Sequence, residues 1–298
     1  MVTGTVFSIC AEQSGTPLLR LFHSVVPPFR RPYEEHRHTA FELALIRTGG
    51  GVYRAGKSVY RFQAGDVFLF SSNEPHCIVE VFDGSALDIM NLQFEPRFLW
   101  SPENLLFQVQ YPDIFFRRNG RFSHRLSALP SPAEEVRRQL LGVEQEFVMQ
   151  RTDYKLMVKL QVLALLVFIR RSYADFFDQP CRRVKPMYLA QMERALDYID
   201  QHLTGELHLD MVARQAAMSP SYFSTLFKKL NGLTLWEYVQ SRRIELAADQ
   251  LTSSDRNIAE IALACGYNSL SNFNRSFKAV TGQTPGAYRK LSLEVGGE

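Results

Sequence analysis

Apolar positions along this chain change period twice, and the changes divide it. From about Leu18 to Phe94 the apolar residues alternate in short runs: Phe41–Arg47, Gly51–Ala55, Ser58–Phe62, Val67–Phe70, Ile78–Phe82 and Leu87–Phe94. Period-two runs broken by turn residues predict short antiparallel strands forming a sandwich or barrel. Ala55-Gly56-Lys57 reads as a hairpin turn and Gly65-Asp66 as a strand lead. The stretch before residue 30 carries Pro17, Pro27 and Pro28 and reads as an irregular lead-in, with an edge strand or a covering arm as the alternative.

The period then becomes helical. Val136, Leu140, Val143 and Phe147 form one stripe in a helix expected over 133–150. A second helix, 153–173, carries Leu156, Leu160, Leu163 and Val167, with Val162, Leu165, Leu166 and Ile169 beside them. Its apolar surface exceeds one face. One face can cover the barrel; the excess implies a helix-on-helix contact with a second copy, so a homodimer is expected. Residues 176–186, FFDQPCRRVKP, hold two prolines and three basic residues and read as a linker.

Beyond the linker the helical period repeats itself. Asn257 precedes an apolar run with Glu260 three residues on, the spacing of a capping box. Ile258, Ile261, Ala262 and Cys265 share a face, Gly266 suits a left-handed helix stop, and Ser269 suits the next cap. Phe273 and Phe277 recur at i and i+4. The same order occurs about fifty residues earlier. Leu209 aligns with Ile258, Ala213 with Ala262, Ala217 with Gly266, Phe223 with Phe273, Phe227 with Phe277, Gly232 with Gly282 and Tyr238 with Tyr288, with one residue inserted in the turn. A duplicated helix-turn-helix module follows. Thr234 and Glu237 mark a capping box opening a long helix over 235–251 that spaces the two modules.

This doubled pattern resembles the DNA-binding domain of the AraC/XylS family of bacterial transcription regulators. SPSYFSTLFKKLNG (219–232), RRIELAADQL (242–251) and NIAEIALACGYNSLSNFNRSFKAVTGQTPGAYR (257–289) carry the resemblance. By position in that motif, the base-edge candidates are Ser221, Ser224 and Thr225 in repeat one and Ser271, Asn272 and Arg275 in repeat two. Lys228, Lys229, Lys278, Arg242 and Arg243 are the phosphate candidates. Repeat one offers no arginine or amide on its recognition face, so its contacts should be the less specific.

HRHTAFELALIRTGG (36–50), followed by Gly65-Asp66 and Pro75-His76, looks like the two motifs of the cupin jelly-roll, the usual sensor of this regulator family; the second motif is only loosely matched. His36, His38 and Glu42 share strand parity and His76 can join them from another strand. Such donors suit zinc, iron, manganese or nickel. They equally suit hydrogen bonds to a polar effector, and that is the reading adopted here, with no cofactor. Arg30, Arg31, Tyr53, Tyr60, Asn91 and Gln93 are further candidates for gripping a polyol.

Composition adds constraints. The 298 residues, 46% of them hydrophobic, suffice for two domains with ordinary cores. The net charge of +3 is too small to indicate nucleic-acid binding by itself, so the basic groups must be sorted onto one face. Cys10, Cys77, Cys181 and Cys265 stand far apart, which fits reduced thiols in the cytoplasm. No signal peptide is read at the start, and the longest apolar run, 162–169, falls short of the ~20 residues that span a bilayer.

The expected architecture is therefore α+β and multidomain. A β jelly-roll with flanking helices (1–175) precedes a linker (176–186) and an all-α domain with two helix-turn-helix motifs (187–298). The resemblance implies an effector-responsive transcription regulator, an activator of carbohydrate-use genes. It is expected to bind double-stranded DNA, a small-molecule effector such as a sugar, and RNA polymerase. Two alternatives stand beside it: a metal-dependent cupin enzyme fused to a DNA-binding domain, and a ligand-independent DNA-binding protein whose barrel is a scaffold.

Overall fold

The computed structural model describes residues 2–11, 15–26, 35–82, 86–99, 113–177 and 186–295. Eight strands form two antiparallel sheets, in the order β1-β2-β8-β3-β6 and β5-β4-β7. They are β1 Val2–Cys10, β2 Pro17–Val26, β3 Phe41–Thr48, β4 Gly50–Ala55, β5 Ser58–Gln63, β6 Val67–Phe70, β7 His76–Val81 and β8 Leu87–Phe94. The expectation of an irregular lead-in is corrected here. Segment 17–26 pairs residue for residue with β8, from Leu19 opposite Phe94 to Val26 opposite Leu87, and β1 adds the edge. Pro17 sits at the first position of its strand, where a missing N–H costs no ladder bond. Pro27, Pro28, Arg30 and Arg31 lie outside the described residues, as does most of the expected linker with Cys181.

β3 is buried on both faces. Leu43 and Leu45 point to the large core cluster beneath the helices, together with Leu69, Met90 and Leu92. Ala44 and Ile46 point to the opposite side, into the inner cluster with Tyr53, Phe68, Phe70 and Ile89. The alternation of β geometry thus splits one strand between two cores. Helices α2 (Pro130–Met149) and α3 (Tyr154–Ser172) cover the outer face, preceded by the short α1 (Asp113–Phe116). Val136, Leu140, Val143 and Phe147 are all buried, as their stripe predicts. On α3, Leu163 and Leu166 are buried within the chain, whereas Leu156, Met157 and Leu160 remain exposed. The exposed apolar surface of α3 is therefore confined to its first turns.

The C-terminal half is helical: α4 Pro186–Gln201, α5 Leu209–Gln215, α6 Pro220–Asn231, α7 Leu235–Ser253, α8 Ile258–Ala264, α9 Leu270–Thr281 and α10 Pro285–Val295. The expected N-caps form, the reciprocal box at Thr234 rather than at Asn257. Ser219, Thr234, Asn257 and Ser269 each accept a backbone N–H three residues on, and Thr234 with Glu237 closes a reciprocal capping box. The two turns are built alike. Ala217 and Gly266 both take positive φ, 49° and 80°, and Met218 N–H to Ala213 O matches Tyr267 N–H to Ala262 O at 3.0 Å each. Helix α7, about 28 Å long by its 19 residues, joins the modules as one rigid rod.

The two modules are seated differently on the sensor. Phe223, Phe227, Leu230 and Tyr238 of the first belong to the same apolar cluster as the barrel's outer face. There the Phe116 ring lies against Gly232, where an added Cβ would come within 2.3 Å of it. Ile261, Phe273, Phe277 and Val280 of the second module form a separate cluster with Ile244 and Leu251.

Candidate functional site

Three histidines gather at the junction of the barrel with the DNA-binding half. His36 and His76 exchange backbone hydrogen bonds of 3.2 and 3.1 Å across an isolated bridge. Their rings are 4.4 Å apart, and the His38 ring is 5.2 Å from that of His76. Residues 36–40 precede β3 rather than continuing it, so strand parity does not explain the convergence; the bridge to His76 does. Glu42 stands behind His38. Its Oε2 accepts from His38 Nε2 at 2.9 Å and from the Gln93 amide at 2.7 Å.

His38 Nδ1 lies 3.0 Å from the Ala40 carbonyl, so both ring nitrogens face acceptors and both donate. Burial alone would depress its pKa, but the bond and charge of Glu42 outweigh burial and raise it. Burial would likewise raise Glu42; the His38 bond and charge instead bring it down to about 2. Each partner thus favours the charged form of the other. His76 differs. Its Nδ1 donates to the Glu74 carbonyl at 2.8 Å, burial pushes its pKa down, and its Nε2 has no hydrogen-bond partner among the described residues.

A cavity of about 370 Å³ opens beside this cluster. Barrel residues Glu42, Tyr53, Asn91 and Gln93 line one side. Ile244, Glu245, Ala248, Val280 and Tyr288 of α7, α9 and α10 line the other. Tyr53, Asn91 and Gln93 thus line the cavity. Tyr60 does not: its hydroxyl bonds His124, in a chain running through Glu74 to Arg118. The DNA-binding-half wall escapes sequence reasoning, because nothing local in 244–248 signals that it closes a barrel.

Polar contacts reinforce this junction. Arg97, 2% exposed, bonds Glu95 within the sensor and Asp197 and Asp200 on α4, the last at 2.6 Å. Glu95 also meets Arg242 at 3.0 Å and accepts from the Tyr238 hydroxyl at 3.3 Å. The segment before β3 touches α7 and α9 of the reader. Arg37 N–H bonds Val280 O, and the Thr39 hydroxyl bonds Glu245.

The recognition helices α6 and α9 show their predicted polar faces. Ser221, Thr225, Ser271, Asn272 and Arg275 are exposed and Ser224 is half-buried. The Thr225 hydroxyl donates to Ser221 O, while Arg275 bonds the Asn272 side chain at 3.0 Å. Lys228, Lys229 and Lys278 are exposed in the last turns. Two phosphate candidates need correction. Arg242 is turned inward between Glu95 and Glu245. Arg243 clips three carbonyls, Leu203, Gly205 and Gly266, at 2.6 to 3.0 Å. Both guanidiniums are thus engaged in contacts within the chain. Between the modules runs a cleft of about 1020 Å³ where Gln240 and Asn268 join Asn272 and Arg275; spacing in the sequence did not single out the first two.

With this geometry in place, comparison with known proteins is decisive. Residues 212–291 match the helix-turn-helix domain family, and residues 30–146 match the AraC-like ligand-binding domain family. Regulatory protein SoxS of Salmonella typhimurium is 35% identical over 98 residues, 33% of this chain and 92% of SoxS. The chain belongs to the AraC family of transcription regulators. The HTH-type transcriptional activator RhaR of Mannheimia succiniciproducens is 24% identical over 89% of this chain and 90% of its own length. The fold as a whole is that of ToxT from Vibrio cholerae. Its unsaturated-fatty-acid-bound structure aligns with a TM-score of 0.55 at 13% identity, over 91% of this chain and 94% of that one. This AraC-family protein is a DNA-binding regulator with a ligand-binding domain.

Proposed function

We propose that this chain is an effector-responsive activator of carbohydrate-use genes, acting in the cytoplasm as a homodimer. Residues 1–175 are the sensor, 176–186 the linker and 187–298 the reader. The observation that carries the proposal is the joint wall of the 370 Å³ cavity. A ligand there touches barrel and reader together, so its binding energy must depend on how the two are seated. That differential affinity is what a ligand needs to shift an equilibrium. Asn91, Gln93 and Glu42 supply amide and carboxylate partners for hydroxyls, and Tyr53 and Tyr288 supply ring faces, a lining suited to a small sugar or polyol. RhaR, which matches along nearly its whole length, is named an activator. Activation implies contact with RNA polymerase. The exposed stripe of Leu156, Met157 and Leu160 supports pairing through α3. No helix among the described residues is long and apolar enough to cross a membrane.

The test is a thermal-shift screen of the full chain against monosaccharides, sugar acids and polyols, with fatty acids as a contrasting set. A true effector at about 100 times its Kd should stabilise by about 2.7 kcal/mol, and Asn91→Leu should abolish the shift. Stabilisation by fatty acids alone would replace the carbohydrate reading. No stabilisation by any member of either set would return the barrel to the role of a scaffold.

A further inference from the structure

We propose that Arg243 is a positioning residue that latches the two helix-turn-helix modules together and so sets the spacing of the two DNA elements that one chain reads. The proposal rests on DNA binding by both modules and is independent of the effector. Arg243 stands half-buried on α7, where its guanidinium spans three carbonyls. Nε donates to Leu203 O at 2.7 Å and Nη2 to Gly205 O at 2.6 Å, both in the loop that leads into α5. Nη1 donates to Gly266 O at 3.0 Å, in the turn of the second module. One rigid planar fork therefore holds the lead loop of module one and the turn of module two at a fixed separation. Leu203 and Gly266 each lie just past the end of a helix, α4 and α8, where the helix dipole favours a cation.

A second observation brings the same two segments into direct contact. Gly266 has φ +80°, and a Cβ added there would lie 2.6 Å from Thr204 O and 3.0 Å from Arg243 Cζ. The turn of module two is thus pressed against the lead loop of module one with no room for a side chain. Arg289 shows what such an arginine does within its own module. From α10 it donates to Leu251 O at 3.2 Å and Arg256 O at 2.6 Å, tying down the stretch that leads into α8. Arg243 makes the same kind of clip to the loop before α5 and adds the bond to Gly266. Stapling within a module therefore accounts for two of its bonds and leaves the third, which crosses between modules.

The joint lies close to the reading surface. Gly266 stands three residues before Ser269, the N-cap of α9, and Tyr267 between them packs on Phe273 of that helix at 5.3 Å. Turn and recognition helix therefore move together. Arg243 and Gly266 line the same intermodule cleft as the base-edge candidates Asn272 and Arg275. One base pair added between the two DNA elements displaces the second by ~3.4 Å and rotates it by about 34°. A joint closed by van der Waals contact and a charged hydrogen bond does not follow that displacement without breaking, and loss of such a bond corresponds to roughly tenfold or more in affinity. Ordinary allosteric coupling reaches the same size, so the latch is strong enough to select a spacing and weak enough to be opened.

The experiment uses the full chain to select sites from a randomised pool of double-stranded DNA. Affinity is then measured for the recovered site and for versions with one base pair inserted or deleted between its two elements. The parent should recover one spacing and lose roughly tenfold or more at either neighbouring spacing. Arg243→Lys keeps the charge, and with it any phosphate contact, but not the planar fork. Its spacing penalty should shrink severalfold. Arg289→Lys is the control: losing the clip within module two should lower the melting temperature and leave the penalty unchanged. If Arg243→Lys does not fold, Gly266→Asn decides. Asparagine tolerates positive φ, while its Cβ forces the turn away from Thr204 O and should shrink the penalty likewise. A penalty that Arg243→Lys leaves unchanged, an equal loss in Arg289→Lys, or a parent indifferent to spacing would overturn the proposal.

Discussion

Truncating Arg242 separates two roles for one residue. Its position in the family motif suggests a phosphate contact, while its side chain lies 3.0 Å from Glu95 Oε1 and 3.1 Å from Glu245 Oε2. Glu95 is 4% exposed, and burial pushes its carboxyl pKa up against the pull of Arg242 and Arg97. At 3.0 Å the gross attraction is about 5 kcal/mol for an effective dielectric near 20, but desolvation of both groups offsets most of it. Breaking a buried pair by removing one partner typically costs about 3 to 5 kcal/mol, because the other charge is left uncompensated. Arg97 still holds the second Glu95 oxygen at 3.1 Å, so the low end applies. We expect Arg242→Met to destabilise the full chain by about 3 kcal/mol. In a cycle with Glu95→Gln, a coupling of about 1 to 3 kcal/mol is expected. Calorimetry gives the stability, and salt-dependent DNA binding gives the second reading. A lost phosphate contact would flatten the slope of log K against log salt by about 0.9; the slope should not move. A flattened slope with unchanged stability would refute the assignment.

Arg275→Ala should relax base preference at one position of the repeat-two half-site, by about 1 to 3 kcal/mol across single-base variants. Lys278→Ala should weaken all sequences alike and flatten the salt slope by about 1. Gly266→Ala, whose Cβ would lie 2.6 Å from Thr204 O at φ +80°, should destabilise by about 2 to 4 kcal/mol in denaturant titration. Ala217→Gly, at the equivalent turn with φ 49°, should leave stability within about 1 kcal/mol of the parent. Leu160→Glu, on the exposed stripe, should shift sedimentation from dimer to monomer with little change in melting temperature; a monomeric parent protein would remove the premise. In hydrogen exchange, amides of α8 and α9 should exchange faster than those of α5 and α6, and the reverse order would count against separate seating of the modules.

What the sequence made legible is what local chemistry encodes. Caps at Ser219, Thr234, Asn257 and Ser269, and the Phe223/Phe227 and Phe273/Phe277 pairs, act within one or two turns, so the duplicated modules could be read without any long-range contact. The misreadings all depend on partners far along the chain. Segment 17–26 is a strand because β8, some seventy residues on, pairs with it. Arg242 is inward because Glu95 is there to meet it, 147 residues earlier. The three histidines meet through a bridge between residues 36 and 76 rather than through strand parity. Which apolar face of α3 stays uncovered was open in the sequence, because only packing against α2 and the sheet decides it.

The same distinction bears on how a signal passes. The first module shares a continuous apolar core with the sensor, so unseating it would expose the buried surface around Phe116, Phe223 and Tyr238. At ~25 cal/mol per Å² even a few hundred Å² of such surface costs several kcal/mol. The second module has its own core and meets the segment before β3 mainly through the Arg37–Val280 and Thr39–Glu245 hydrogen bonds. Each such bond is worth only about 0.5 to 1.5 kcal/mol net, since water replaces it on opening. An effector discriminating between two seatings by 1 to 3 kcal/mol, the ordinary range of allosteric coupling, is too weak to move the first module and strong enough to move the second. Val280 and Glu245 line the cavity and also receive those two bonds. The groups that would feel the ligand are therefore the ones that hold the movable module.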